Sequence, residues 1–180
     1  MCSLHIHFQN YKQFLDYSRQ LFNANQQNSN LMRVILGFTL NEDLETALLY
    51  IETFESKLLP STSEEERLFK NEMGRFHATL LLRLGEHEKC LQYLQNQLII
   101  TDKITVLEDQ AKCYMHLKND EKFIETVYEL IKEYPDNCDY FAMLEEYVPK
   151  EKFIEELYKI KESIKSKYAH VRILELIDIS

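Results

Sequence analysis

Two sets of polar side chains recur at one-turn spacing in this 180-residue chain: Arg75, Thr79 and Arg83, then Glu108, Lys112 and His116. On a helix, residues four apart share a face, so each set would present its side chains in a line. Guanidinium and ammonium groups hold carboxylates through charge-assisted hydrogen bonds. These six residues are therefore the candidate partner-binding face, and their chemistry is recognition of an acidic group. Catalytic chemistry finds less support. His5 and His7 flank Ile6 without further ligands nearby. His77, His87 and His116 fall on three different segments with no carboxylate or thiol at ligand spacing, so they read as groove or surface residues, and His170 stands alone. Cys2, Cys90, Cys113 and Cys138 form no CxxC pair. Buried thiols behave as small hydrophobes, so reduced structural cysteines in a cytoplasmic compartment are expected.

No glycine-rich phosphate loop, HExxH or GxSxG occurs. The acid-rich stretches at Asp43 to Glu45 and Glu64 to Glu66 are explained as helix starts, where carboxylates complement the helix dipole. No catalytic residue, cofactor or metal is assigned, and the chain is read as a non-enzyme. A net charge of −9 without a long Lys or Arg run disfavours a nucleic-acid face. No apolar run reaches membrane-spanning length.

The elements that would carry these residues are helices. Three Gly and three Pro leave little material for β turns. From Thr101 to Asn137, apolar residues fall at Ile104, Leu107, Ala111, Tyr114 and Leu117, then at Phe123, Val127, Leu130 and Tyr134. Both sets step by three or four, one apolar stripe per helix. Lys118 to Glu121 makes the turn, and Tyr134-Pro135-Asp136-Asn137 ends the second helix. Ala111, Tyr114 and Pro135 occupy the small, aromatic and closing-proline positions of a tetratricopeptide repeat. Ala78 and Leu81 take the first two of these positions 33 residues upstream.

The whole chain then reads as one all-α array of tetratricopeptide-like hairpins, stacked as a right-handed superhelical solenoid. It comprises a partial repeat at 8–25, repeats at 30–57, 63–99, 102–135 and 137–168, and an apolar tail at 169–180. Leu31 to Leu40 and Leu44 to Phe54 form the first complete hairpin, and Gly37 within it permits close approach of a neighbouring helix. Ser63-Glu64-Glu65-Glu66 has capping-box order and opens a long helix to Leu84. An orphan helix at one end and an apolar tail at the other suggest one part of a longer horseshoe.

The run from Ile100-Thr101-Asp102-Lys103-Ile104 through Tyr134-Pro135-Asp136-Asn137-Cys138-Asp139-Tyr140-Phe141-Ala142-Met143-Leu144-Glu145 resembles the auxiliary subunit of the N-terminal acetyltransferase A complex. Ala47 to Phe54 and Arg83 to Leu94 follow that family less tightly. Cys138 stands where the family has Trp, and Tyr134 where it has Asn. The resemblance implies a noncatalytic horseshoe that binds an acetyl-CoA-dependent catalytic subunit and helps dock it at the ribosome. The alternative is a free-standing tetratricopeptide adaptor that binds an acidic peptide or partner protein. Neither reading involves a membrane or sequence-specific nucleic acid.

Overall fold

The computed structural model describes residues 10–56, 63–96 and 102–165, and among these every regular element is a helix. The chain divides into two compact units, Met1–Thr101 and Asp102–Ser180. The first holds α1 (Tyr11–Ala24), α2 (Asn28–Leu40), α3 (Leu44–Glu55), α4 (Glu64–Arg83) and α5 (His87–Asn96). The second holds α6 (Lys103–His116), α7 (Asp120–Glu133), α8 (Cys138–Tyr147) and α9 (Lys150–Lys165).

In the first unit each helix packs on the next. The core is built from Leu31, Val34, Ile35 and Phe38 of α2, Ala47 and Ile51 of α3, and Met73 and Leu80 of α4. Fully burying side chains of this size contributes roughly 1.5–3 kcal/mol each, so the apolar spacing fixes which faces meet. Gly37 supplies the expected close approach. A Cβ there would lie 3.0 Å from Leu15 Cδ1 and 3.1 Å from Leu15 Cα on α1. The Asn41 amide locks the same crossing, donating to the Tyr11 carbonyl at 3.0 Å and the Gly37 carbonyl at 2.7 Å. Helix α2 starts earlier than the apolar pattern predicts. Asn28 and Ser29 enter its first turn, and Asn30 donates back to the Asn25 carbonyl at 2.9 Å.

In the second unit α6 packs on α7, α7 on α8, and α9 on both α7 and α8. Ala111, Phe123, Val127, Leu130, Ile131, Tyr140, Phe141, Leu144, Val148 and Ile160 form its core. Two residues of the expected stripes fall outside it: Leu117 and Tyr134 are 38 % and 58 % exposed. Both sit in the C-cap position of their helices, where the chain turns away from the packed face.

Capping follows the sequence closely. Ser63 Oγ accepts from the Glu66 N–H, Asn119 Oδ1 from Lys122, and Asn137 Oδ1 from Asp139. Three interhelical turns share one backbone geometry. Glu42, Gly85 and Lys118 have φ of 61°, 76° and 54°. The N–H that follows each of them reaches back to the carbonyl of Phe38, Leu81 or Tyr114. This is the Schellman arrangement, in which the left-handed residue is ordinarily Gly.

Candidate protein-binding face

Helix α4 carries Arg75, Thr79 and Arg83 at successive turns, as the spacing requires. None of the three is idle. Thr79 Oγ1 donates to the Arg75 carbonyl at 2.9 Å. The Arg75 guanidinium lies 3.7 Å from Glu72, and Arg83 Nη2 lies 2.9 Å from Glu42 Oε2 on the α2–α3 turn. In the second unit, Glu108, Lys112 and His116 line α6. Lys112 Nζ lies 2.8 Å from the buried Asp109 carboxylate, and Glu108 accepts a 2.6 Å hydrogen bond from the Tyr140 hydroxyl of α8. His116 is exposed. Each of the three expected carboxylate receptors, Arg75, Arg83 and Lys112, thus already faces a carboxylate of its own chain.

Burial, the Glu108 hydrogen bond and the Glu108 charge, in that order, push the Tyr140 phenol up to about 12. Its proton is therefore held on the hydroxyl, which remains a donor to Glu108.

A second polar cluster escapes sequence reasoning. His77, expected in a groove or at the surface, is buried on α4. Its Nδ1 lies 2.9 Å from Glu55 Oε2 on α3, and Tyr93 of α5 donates to Glu55 Oε1 at 2.7 Å. The His77 and Tyr93 rings touch at a tilt of 37°, with centroids 4.0 Å apart. Burial, followed by the Glu55 hydrogen bond and charge, drives the Tyr93 phenol far above its ordinary range. The carboxylate comes from 22 residues upstream in the preceding hairpin, so no local spacing could reveal it. Cys90 and Cys113 are buried, as expected of structural thiols. Cys138 is not: it is exposed at the first residue of α8, before the apolar face begins. Cys2, His5, His7, His170 and the 169–180 tail lie outside the described residues.

An open cleft of about 400 Å³ lies among α1, α2 and α3, and its lining includes Phe22, Leu31, Leu49, Tyr50 and Phe54 together with Gln27. Among the described residues no cluster of three or more His, Cys, Asp or Glu could hold a metal, and no helix is long and apolar enough to cross a membrane.

No family model matches the chain, and no curated protein sequence matches it. Solved structures do. A chain of the structure of Naa15/Naa10 bound to HypK-THB superposes with a TM-score of 0.78 at 19 % identity, over 94 % of this chain and 26 % of that one. This chain therefore spans about a quarter of the length of that relative. The MamA RS-1 double mutant matches at 0.64 with 13 % identity, over 93 % of each chain. A Podosopora anserina putative kinesin light chain with nearly identical TPR-like repeats matches at 0.58 with 12 % identity, over 99 % of this chain and 91 % of that one. The fold is an all-α, tetratricopeptide-like array of helical hairpins.

Proposed function

We propose that this chain is a noncatalytic helical-repeat scaffold, an auxiliary subunit of an N-terminal protein acetyltransferase that binds the catalytic subunit and helps dock it at the ribosome. The observation that carries the reading is the Ile100 to Glu145 pattern, set on a fold that superposes over 94 % of its length on a chain of the Naa15/Naa10 structure. The mechanism is binding: helical faces hold and reshape a partner enzyme, and the self-paired charges on α4 and α6 keep those faces ordered until the partner arrives. Co-expression with a small acetyl-CoA-dependent acetyltransferase tests it. The expected result is a stable complex whose peptide preference differs from that of the enzyme alone. A chain that stays unbound and leaves such enzymes unchanged refutes the proposal.

A second reading, an adaptor for an acidic peptide, is favoured by the cations Arg75 and Arg83, two turns apart on one face of α4 with Thr79 between them. Charge reversal at Arg75, Arg83 and Lys112 separates the two. It abolishes binding of a short acidic peptide but only weakens an extended interface with a folded enzyme.

A further inference from the structure

Glu42 combines two features that stability alone does not account for. Its φ of 61° lies in the left-handed region, as do those of Gly85 and Lys118 at the matching turns, with φ of 76° and 54°. Such a conformation is unfavourable for a residue carrying a Cβ. Its carboxylate nevertheless reaches Arg83, 41 residues along the chain, through an Nη2–Oε2 contact of 2.9 Å. The two side chains are 75 % and 40 % exposed, so solvent screens the pair and its contribution to folding is small. A glycine would suit the backbone, yet the position holds a carboxylate aimed at a cation of the candidate face.

We propose that Glu42 is a built-in competitor for Arg83, occupying the guanidinium with the same chemistry that an acidic segment of a protein partner would bring. A guanidinium binds carboxylates through paired N–H donors in a planar fork. The same ion exchange frees Glu42 and seats the partner's carboxylate on Arg83, with no net loss of ion pairs. Because the internal pair is exposed, it is displaced at little cost and tunes affinity without closing the face. The inference rests on the reading of α4 as a partner-binding face and specifies what that face receives.

The test uses the full chain and fluorescein-labelled hexaglutamate as probe, followed by fluorescence anisotropy at low ionic strength. Removing an exposed competing pair should tighten binding by about two- to five-fold, and this is expected for Glu42→Gln. Glu42→Gly should show the same gain while relaxing the backbone, so a folding defect cannot imitate the result. Arg83→Met should weaken binding, and adding Glu42→Gln to it should restore no more than the small net-charge gain of Glu45→Gln. Glu45→Gln removes a nearby exposed charge that has no role in the pair, and its gain should be smaller. Equal gains for Glu42→Gln and Glu45→Gln would reduce the effect to net charge and overturn the inference. So would identical affinities of wild type and Glu42→Gln, with the scaffold reading left standing. Failure of every variant to bind the probe overturns the inference and the acidic-partner reading together. The acetyltransferase co-expression experiment then decides the scaffold reading independently.

Discussion

Replacing Glu55 with Leu is the sharpest probe of how the first unit is held together. Glu55 accepts from the buried His77 ring at 2.9 Å and from the Tyr93 hydroxyl at 2.7 Å. An apolar replacement strands both donors. Each stranded group costs roughly 1–3 kcal/mol, so Glu55→Leu should destabilise by about 2–6 kcal/mol, toward the lower end because Tyr93 is only half-buried. Tyr93→Phe removes one donor and leaves the other pair intact, with a loss nearer 1.5 kcal/mol, as for a single hydrogen bond to a charged acceptor. In Glu55→Leu/Tyr93→Phe one of the stranded groups is gone, so the double variant should be more stable than the sum of the single losses predicts. Glu55→Gln offers a finer cut. Its amide oxygen still accepts from Tyr93, while its NH2 faces the His77 Nδ1 donor that the carboxylate served, so one of the two hydrogen bonds survives. Its cost should therefore fall below that of Glu55→Leu. Urea titrations followed by far-UV circular dichroism give all four values, with the double-mutant cycle read from the midpoints and slopes. Strict additivity, or a Glu55→Leu loss no larger than that of Tyr93→Phe, would show that the cluster is not a shared, desolvated network.

The helices were legible because they are encoded locally. Ser63 and Asn119 are each followed by a free N–H that their short side chains can reach, so those starts followed from residue type, whereas Asn137, read as the end of the preceding helix, also caps α8. The three- and four-residue apolar steps fixed the inward faces, and Ala111, Ala78 and Leu81 are all buried where the repeat spacing puts them. The 33-residue offset between Ala78 and Ala111 recurs between the turn residues Gly85 and Lys118, which share one left-handed geometry. Among the described residues of α6 and α7, periodicity failed where each helix ends: Leu117 and Tyr134 keep the beat, but the backbone has already turned.

Pairing between hairpins was not legible, for a physical reason. Glu55 with His77, Glu42 with Arg83 and Glu108 with Tyr140 span 22, 41 and 32 residues. Which exposed or half-buried carboxylate meets which donor depends on the rotation and offset of neighbouring helices, quantities that residue spacing within one helix does not carry. Arg75, Thr79 and Arg83 lie at successive turns of α4, while their state of charge compensation was invisible in the sequence. The same holds for Cys138, whose position one residue after the Asn137 cap puts its thiol outside the packed face.

Four further outcomes follow from the packing. Gly37→Ala should gain the helix propensity of alanine, up to about 1 kcal/mol, yet lose more to the contact with the Leu15 backbone, since overpacking costs roughly 1–3 kcal/mol; a rise in urea midpoint would refute the close crossing. Ala111→Leu should lose about 1–3 kcal/mol by overpacking the α6–α7 contact, and an unchanged melting temperature would mean that the helix faces are misassigned. Lys118→Gly should stabilise by about 1 kcal/mol, because glycine takes the left-handed conformation without strain; a lower midpoint would contradict the turn geometry. The last outcome is alkaline. The folded state holds the Tyr140 proton up to about pH 12, while an ordinary phenol releases it near 10.0. Between those values the native chain binds more protons than the unfolded one, so stability falls as pH rises through that window and is fully retained below it. Tyr93, shifted in the same direction, adds to the fall. Tyr140→Phe should be less stable than wild type at pH 8, where the Glu108 hydrogen bond is lost, yet decline less steeply between pH 10 and 12. Urea midpoints measured across that range decide it, for parallel curves would mean that the buried phenol does not differ from one in the unfolded chain.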